Sequence, residues 1–381
     1  MGLWYVCVAF DPDTVARYRV TSAAPAAFNK VLGVAKALKE SGLDVTIVSL
    51  SMARTLSGKV VVPHTRKYNS VEIKYCFAIN RRIVKNIVAS FTFLFCVIKN
   101  RKQFSSVIFY NHRPEYLFGM ILCRLLGKKV IFDLEDGINK EDSRYHVILG
   151  KLLIKTYLYL AQYRLLTVSK KLAKETDHKL GVVCYGAVSK FADSARRFGD
   201  LKTTILFGGA LYRDTGVPMF LQFIDYIARI DEIDQHLHIY VTGFGPFSLE
   251  IERKVANLEF VSFLGNITNE EYLEVLAKCQ VAFVLKEPRS TIGQTTFPSK
   301  IVELSAQGLL IVTTPVSDIP ELFSEEEVFI VETSVELEQT VLRIMSNREE
   351  AERMAMHSLA KARKLFGSRA VGDNIRKVFG L

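Results

Sequence analysis

The sequence predicts an α/β fold built from two doubly wound domains, each with a parallel sheet covered by helices on both faces. The length of 381 residues suits two domains of roughly 150–200 residues each. A hydrophobic share of 49% is enough for two separate cores. In both halves, short apolar runs of strand length alternate with longer segments of helical periodicity, which is typical of parallel sheets.

A polar stretch at residues 189–202 separates the halves and is the predicted linker. We therefore place an N-terminal Rossmann-like domain at 1–190 and a C-terminal Rossmann-like domain at 200–365. The last segment, 366–381, is predicted to be a helix that packs back on the N-terminal domain. In such a pair of domains, ligands are expected at the carboxyl ends of the strands, between the domains.

The first half opens with a buried apolar strand at residues 4–10. Pro25 suits a first helical turn, the apolar spacing from Val31 to Leu38 marks one helix face, and Gly42 suits the residue after that helix. Further predicted strands are 45–50, 60–62, 71–77, 106–110, 129–134, 165–168 and 182–185, and further predicted helices are 83–99, 115–126 and 145–162.

The second half repeats this alternation up to the C-terminus. Its predicted strands are 204–208, 238–242, 258–263, 281–285 and 310–313. Its predicted helices are 218–230, 269–278, 298–307, 336–347, 349–366 and 371–378.

Composition narrows the class of partner without choosing one. The net charge of +10 fits a nucleic acid, an anionic membrane face or a phosphorylated ligand. No nucleic-acid recognition motif occurs, so nucleic acid is not an expected partner. The six cysteines form no CxxC pair, which argues against a zinc site or a disulfide framework.

The N-terminus lacks the basic region and cleavage site of a signal peptide. The longest apolar run, 87–98, is shorter than the about 20 residues that span a bilayer. We expect a cytoplasmic protein, and peripheral binding to the inner face of the membrane stays open.

Two basic, apolar segments keep that membrane contact open. Lys85 precedes the run 87–98 and Lys99 follows it, while Lys151 and Lys155 lie within a second apolar helix. Basic residues around an apolar helix can bind an anionic leaflet. The alternative for each segment is a buried core helix with charged ends.

The segment 294–320 contains the most informative pattern for chemistry. Pro298 suits a first helical position, so Ser299 and Lys300 would lie in the first turn, where free N–H groups and the helix dipole attract anions. Glu303 shares a helix face with Lys300, and its carboxylate could accept hydrogen bonds from a ribose diol. The alternative is a simple ion pair between Lys300 and Glu303.

This segment, FPSKIVELSAQGLLIVTTPVSDIPEL, resembles the donor-binding signature of glycosyltransferase family 4 and its GT-B relatives. TTILFGGALYRDTGVPMFLQFI, IYVTGFGP and LEFVSFLGNITNEEYLEVLAKCQVAFVL resemble further segments of that family, in the same order. The resemblance covers roughly residues 160–335 well and the first 150 loosely. It implies a GT-B fold, a nucleotide-sugar donor, retention of anomeric configuration, and neither a metal nor another cofactor.

The resemblance also implies which residues bind the donor. The chain departs from the family pattern at several places: Thr295 replaces the first glutamate of the glutamate-x7-glutamate motif, Ala210 replaces an arginine, Thr215 replaces a lysine, and Ala26 and Ala27 replace an N-terminal Gly-Gly turn. Arg213, Arg289 and Lys300 are the available replacement cations. The predicted donor-binding residues are Gly209, Arg213, Gly243, Arg289, Thr295, Ser299, Lys300 and Glu303.

A second predicted site follows the strand 129–134 in the first half. Asp133, Glu135 and Asp136 lie at its carboxyl end, and Glu135 falls closest to a histidine of the family. We predict Glu135 and Asp136, with Lys300, as catalytic residues, and Asp133 as an acceptor-binding residue. Their mutual repulsion would raise the pKa of one acid. The alternative is a solvated acidic loop that caps the next helix.

Further acceptor-binding residues are predicted from two other strand ends. His112 and Arg113 end the preceding strand, although a structural role for His112 is equally consistent with the sequence. Arg17 and Arg19 lie in the predicted loop 11–22. Asp11 and Asp13 in that loop resemble a metal motif of another glycosyltransferase fold, but no metal is expected here.

The sequence therefore predicts a hexosyl- or related glycosyltransferase. It would transfer sugar from a nucleotide-sugar donor to a glycan or lipid-linked saccharide, in cell-surface polysaccharide synthesis such as lipopolysaccharide or capsule. Two alternatives stay open: a GT-B-fold nucleotide-sugar epimerase, and a catalytically silent scaffold of the same fold.

Overall fold

The computed structural model describes residues 2–21, 25–52, 60–79, 84–138, 143–176, 180–196, 198–199 and 202–380. The chain divides into two compact units. The first unit is Met1–Ser189 with Phe366–Leu381, and the second is Lys190–Leu365.

The first unit contains a sheet with the strand order β3-β4-β2-β1-β5-β6-β7-β8 in the part of the chain described. Neighbouring strands are parallel except for β3 and β4, which form an antiparallel pair at one edge. The strands are β1 (Gly2–Cys7), β2 (Val45–Ser49), β3 (His64–Tyr68), β4 (Val71–Tyr75), β5 (Phe104–Tyr110), β6 (Lys129–Leu134), β7 (Arg164–Thr167) and β8 (Leu180–Val183).

Helices cover both faces of this sheet, because alternate residues of a strand point to opposite sides. On β5, Ile108 joins the core packed under α2, whereas the ring of Phe109 contacts Phe93 of α3. On β6, Phe132 contacts Tyr157 of α5 on the same face as α3. The helices are α1 (Pro12–Tyr18), α2 (Pro25–Glu40), α3 (Lys85–Asn100), α4 (Leu117–Leu125), α5 (Arg144–Leu160), α6 (Lys170–Glu175) and the last helix α16 (Ser368–Arg376).

The C-terminal helix α16 packs on α2 within the first unit. A Cβ atom on Gly372 would lie 2.2 Å from the carbonyl oxygen of Ala37, so only glycine allows this approach. Arg376 donates a hydrogen bond to the carbonyl oxygen of Ser41 at 2.8 Å. Helix α16 therefore completes the hydrophobic core of the first unit.

The second unit contains an all-parallel sheet with the order β11-β10-β9-β12-β13-β14 among the residues described. The chain winds from β9 outward to β11 and then returns to β12 beside β9, so the strand order reverses between β9 and β12. Ligands of doubly wound sheets bind at such a reversal. The strands are β9 (Thr203–Ala210), β10 (Leu237–Phe244), β11 (Val261–Gly265), β12 (Val281–Val284), β13 (Leu310–Thr313) and β14 (Phe329–Ile330).

The helices of the second unit follow the predicted alternation, with short additional turns. They are α7 (Val217–Ile227), α8 (Ile233–His236), α9 (Ser248–Val255), α10 (Asn269–Lys278), α11 (Thr291–Thr295), α12 (Ser299–Ala306), α13 (Ile319–Leu322), α14 (Ser334–Ser346) and α15 (Arg348–Phe366). Short 3₁₀ helices lie at Pro114–Tyr116, Arg213–Thr215 and Lys377–Phe379.

The predicted α/β class with parallel sheets is confirmed, and several local predictions are wrong. The segment 11–22 is not a simple loop, because Asp11 caps α1 through its carboxylate. Pro298 is the N-cap of α12 rather than its first helical residue. The predicted strand 60–62 contributes only a single bridge, between Val61 and Ala78.

None of the helices described combines the length and the apolar character that crossing a membrane requires.

Candidate functional site

The side chain of Lys300 crosses the carboxyl end of β9. A Cβ atom on Gly209 would lie 2.5 Å from Cε and 2.9 Å from Nζ of Lys300, so any larger residue would displace this lysine. Gly209 also has a φ of 118°, which side chains rarely tolerate. The absence of a side chain at Gly209 therefore leaves space for Lys300 at the strand end.

A second glycine allows the end of β10 to lie close to the end of β9. Gly243 at the end of β10 pairs with Gly209, and a Cβ atom on Gly243 would lie 1.8 Å from the carbonyl oxygen of Gly209. Its φ is 126°. Gly208, Gly209 and Gly243 thus form a floor of bare backbone beside Lys300, which allows a ligand to approach the main chain.

The helix that carries Lys300 begins without a side-chain cap. Pro298 precedes the first helical residue, Ser299, and makes no capping hydrogen bond. The first-turn N–H groups and the positive end of the helix dipole are thus open to an anion. Ser299 is exposed at this helix start.

Lys300 is half-buried, and no carboxylate among the described residues forms an ion pair with it. Within the described residues, Nζ makes neither a hydrogen bond nor an ion pair, and it lies 5.9 Å from the ring centroid of Tyr272. Burial lowers the pKa of Lys300 from its ordinary value, and the negative charge of Glu303 opposes this shift. A bound anion would offset the desolvation of this ammonium group.

Glu303 lies one turn along α12 and is exposed. It forms no ion pair with Lys300 in the described structure, so the simple pair considered from the sequence is absent. Burial, followed by the nearby Glu303 carboxylate, raises the pKa of Tyr272 of α10. The Tyr272 hydroxyl is buried without a hydrogen-bond partner among the described residues. Lys300, Tyr272 and Glu303 therefore form one cluster.

Strand β9 ends at Ala210 and the loop after it includes Thr215, the two positions where the resemblance implies an arginine and a lysine. The hydroxyl of Thr215 donates to the carbonyl oxygen of Ala210 at 2.6 Å and accepts from the Tyr212 N–H at 3.0 Å. The threonine thus closes the loop that a lysine would occupy. Arg213 is exposed on this loop, and Arg289 is exposed on the loop after β12, at the same edge of the sheet.

Thr295, which replaces the first motif glutamate, is buried at the end of α11 with 4% of its surface exposed. The hydroxyl of Thr295 lacks the negative charge and the second oxygen of a carboxylate.

In the first unit, Asp133 is buried with 1% of its surface exposed. It accepts a hydrogen bond from the Tyr5 hydroxyl and lies 3.9 Å from Nζ of Lys30. The pKa of Asp133 is raised, as expected for one of the acids, but burial is the largest cause rather than repulsion between the acids. This position leaves Asp133 little surface for contact with an acceptor.

Glu135 forms an ion pair with Lys30, a buried lysine on α2. Asp136, by contrast, is exposed and accepts a hydrogen bond from the side-chain amide of Asn111. Asn111 has a φ of 66°, and its N–H donates to the carbonyl oxygen of Asp133 at 2.6 Å. The three acids therefore differ: one is buried, one is paired and one is open to solvent.

His112 and Arg113 follow β5 at the same end of the sheet. The Nδ1 atom of His112 lies 3.0 Å from Oδ1 of Asn111, and burial lowers the pKa of His112. Arg113 lies 3.6 Å from the buried carboxylate of Glu115. Burial therefore favours the neutral form of His112, which lies near Asp136 through their shared contact with Asn111.

Arg17 and Arg19 are exposed at the end of α1. Asp11 is buried and caps this helix, and it also forms an ion pair with Arg66 at 3.1 Å. Asp13 pairs with Arg66 as well. Both carboxylates are therefore used within the protein, and the described residues include no cluster of metal ligands.

A cavity of about 530 Å³ opens near Trp4, Lys39, Thr46 and Lys74. It lies at the amino ends of β1 and β2, opposite the strand ends that carry Asp133 and Glu135.

Sequence reasoning missed Lys30, Tyr5, Tyr272 and Asn111. A lysine on the apolar face of α2, among Phe28, Val31 and other buried residues, was a signal that could have been noticed. Buried lysines require an anionic partner, although the sequence does not say which one.

Comparison with known proteins agrees with this geometry. Residues 202–347 match the family model of Glycosyl transferases group 1. No curated protein sequence matches the chain.

Solved structures resemble the whole chain at low sequence identity. HepE of Anabaena, solved with UDP, has 13% identity and a TM-score of 0.68, with 100% of both chains covered. Starch Synthase IV from Arabidopsis thaliana, bound to ADP and acarbose, has 10% identity and a TM-score of 0.70, covering 100% of this chain and 99% of that one. The lipopolysaccharide outer core galactosyltransferase WaaB has 12% identity and a TM-score of 0.64, covering 100% and 99%.

The chain therefore has the GT-B fold of glycosyltransferases. The range of the second unit that matches the glycosyl transferases group 1 model includes Lys300, Glu303 and the glycine floor.

Proposed function

We propose that the chain is a glycosyltransferase that takes a sugar from a nucleotide-sugar donor and attaches it to a saccharide or lipid-linked saccharide. The observation that carries this proposal is Lys300: a half-buried cation without an ion-pair partner among the described residues, beside bare glycine backbone and an uncapped helix start. A diphosphate supplies the charge that this arrangement lacks.

Lys300 and the first N–H groups of α12 would stabilise the diphosphate as it leaves the sugar. Negative charge grows on the leaving group in the transition state, and fixed donors placed there lower the barrier. Arg213 and Arg289, exposed on loops at the same sheet edge, would contact the outer phosphate oxygens. Glu303 would accept hydrogen bonds from the ribose hydroxyls.

On the acceptor side, Asp136 is the carboxylate best placed to accept a proton from an acceptor hydroxyl, because it is exposed. Glu135 would act as a positioning residue through its ion pair with Lys30. His112, Arg113, Arg17 and Arg19 would contact the acceptor from neighbouring strand ends. We further propose a hexosyl donor, retention of anomeric configuration, no metal requirement, and a cytoplasmic role in cell-surface polysaccharide synthesis.

The nucleotide is tested first by isothermal titration calorimetry of the full chain with UDP, ADP, GDP and UDP-glucose. HepE was solved with UDP and with UDP-glucose, which makes uridine nucleotides the first choice. We expect one diphosphate to bind, and Lys300→Ala to weaken it by at least tenfold. Lys278→Ala, an exposed lysine on α10 of the same unit, is the matched control and should not change the affinity.

Product analysis then separates sugar transfer from its alternatives. Sugar transferred to an added saccharide acceptor supports the proposal, whereas turnover of donor without acceptor indicates an epimerase. If the wild-type chain binds no nucleotide diphosphate, the proposal fails and a silent scaffold remains.

A further inference from the structure

The outward face of α3 is apolar. Ile87, Phe91, Phe95 and Ile98 follow one another at helical spacing, and the two phenylalanines expose 67% and 66% of their surface. The opposite side of α3 is also apolar, because Phe93 is buried against β5. A helix that is apolar all round is normally covered on every side. Among the described residues, α3 is covered on one side only.

The helices beside α3 continue this surface. α4 packs on α3, and α5 packs on α4, on the same face of the sheet. Phe118 and Leu125 of α4 are 60% and 79% exposed, and Leu152 and Tyr159 of α5 are 61% and 73% exposed. We call this surface the α3–α5 face. Its apolar residues are Ile87, Phe91, Phe95, Ile98, Phe118, Ile121, Leu125, Tyr145, Ile148, Leu152 and Tyr159.

This clustering is not the ordinary scatter of exposed apolar residues. Of the 25 large hydrophobic residues exposed in the described chain, 14 lie between residues 84 and 163. Single exposed apolar residues are normal in proteins, whereas a continuous patch indicates a binding surface.

Within the three helices themselves, every charged side chain of the described face is basic. α3, α4 and α5 contain no aspartate or glutamate, and Glu115, which precedes α4, is buried. Lys99, Arg101, Lys102, Arg144, Lys151 and Lys155 are exposed on or beside the three helices. The partner must therefore combine an apolar phase with negative charge.

We propose that the α3–α5 face binds an anionic lipid bilayer, with the helices lying in the plane of the interface. The phenylalanine and leucine side chains would enter the acyl boundary, and the lysines would bind lipid phosphates. Binding there deepens the proposed function, on which it rests, because it would place the chain where a lipid-linked acceptor lies. Vesicle binding is measured independently of nucleotide binding and sugar transfer.

The test is co-sedimentation of the full chain with vesicles, without donor or acceptor. Vesicles of phosphatidylcholine with phosphatidylglycerol should bind the chain, and pure phosphatidylcholine vesicles should bind it at least tenfold less. Raising the salt concentration should weaken binding, because the charges are screened.

Two variants separate the apolar and the basic contributions. Phe91→Gln with Phe95→Gln should reduce binding by at least tenfold, and these side chains are exposed, so the fold should persist. Lys151→Gln with Lys155→Gln should reduce binding to anionic vesicles by about tenfold or more, since each basic residue contributes about fivefold near an anionic surface.

Matched controls lie in the second unit. Leu249→Gln with Met356→Gln removes exposed apolar residues, and Arg253→Gln with Lys278→Gln removes exposed charges. Neither pair should change vesicle binding.

Wild-type binding that is insensitive to anionic lipid, or variants that bind like the wild type, would overturn the proposal. A different outcome would also overturn it: the wild-type chain does not bind vesicles but forms a dimer in analytical ultracentrifugation, and Phe91→Gln with Phe95→Gln dissociates that dimer. Because nucleotide binding is measured separately, either proposal can fail while the other holds.

Discussion

Lys30 and Glu135 form an ion pair between α2 and the end of β6, although they lie 105 positions apart in the chain. The lysine is almost fully buried and also lies 3.9 Å from the buried carboxylate of Asp133. One ammonium group thus compensates two carboxylates at the strand end where we place the acceptor. The pair orients Glu135 and leaves Asp136 as the accessible acid.

Lys30→Met should destabilise the first unit by about 3–5 kcal/mol, because it leaves two carboxylates in a low-dielectric environment without a cation. Lys30→Met combined with Glu135→Gln should recover part of this loss. Trp4 is the only tryptophan and is buried in the first unit, so its fluorescence in urea reports on this unit. Equal stability of the single variant and the wild type would show that Lys30 is not needed to balance the acids.

Gly209→Ala should abolish nucleotide binding by displacing Lys300. The added Cβ atom would meet Cε of Lys300 at 2.5 Å. Gly265→Ala is the matched control, because Gly265 also has a positive φ, of 62°, but an added Cβ atom there meets nothing within 4 Å. Both variants should lose about 1–3 kcal/mol of stability from backbone strain. Calorimetry should show the loss of nucleotide affinity in Gly209→Ala alone; equal affinities would argue against the crowding of Lys300.

The affinity for the diphosphate should fall as pH rises in the alkaline range. The pKa of Lys300 is lowered by burial, so this group loses its proton at a lower pH than an ordinary lysine. Anion binding favours the charged form, so binding above that pKa should be accompanied by proton uptake. Calorimetry in two buffers of different ionisation enthalpy measures this uptake.

Lys300→Arg should remove this pH dependence, because the guanidinium stays protonated over the whole range. If the affinity of Lys300→Arg for the diphosphate falls at alkaline pH as it does in the wild type, the titrating group is not Lys300.

Glu303→Gln should reduce the preference for ribose over deoxyribose. A charged hydrogen bond is worth about 1.5–3 kcal/mol, so UDP should lose roughly tenfold or more in affinity, while 2′-deoxy-UDP should lose less. Glu252→Gln, an exposed glutamate on α9, serves as the control. Equal losses for the two nucleotides would place Glu303 away from the 2′-hydroxyl.

Local pattern predicted much of the second unit. The glycine pair at the end of β9, the start of α12 near Lys300 and the spacing from Lys300 to Glu303 all depend on neighbouring residues. A residue three positions along a helix has a known direction, so the shared face of Lys300 and Glu303 could be derived without coordinates. Their lack of an ion pair could not, because it depends on where Tyr272 and Gly209 place the lysine.

The N-cap of α1 could have been predicted from the sequence, but we did not predict it. Asp11 followed by Pro12 is a common start of a helix, with the acid at the N-cap and proline in the first turn. The burial of Asp133 could not be predicted from the sequence, because an acidic run at a strand end is equally consistent with exposure. Its burial depends on Tyr5 and Lys30, which come from distant parts of the chain.

The sequence by itself determined the alternation of strands and helices and the position of the anion-attracting helix start, since both depend on residues within a turn or two. Only the tertiary structure decided which acid is paired, which is free, and which side of α3, α4 and α5 meets solvent. The physical reason is that burial is a property of what packs against a residue. An apolar helix looks the same in sequence whether its second face meets protein, solvent or lipid.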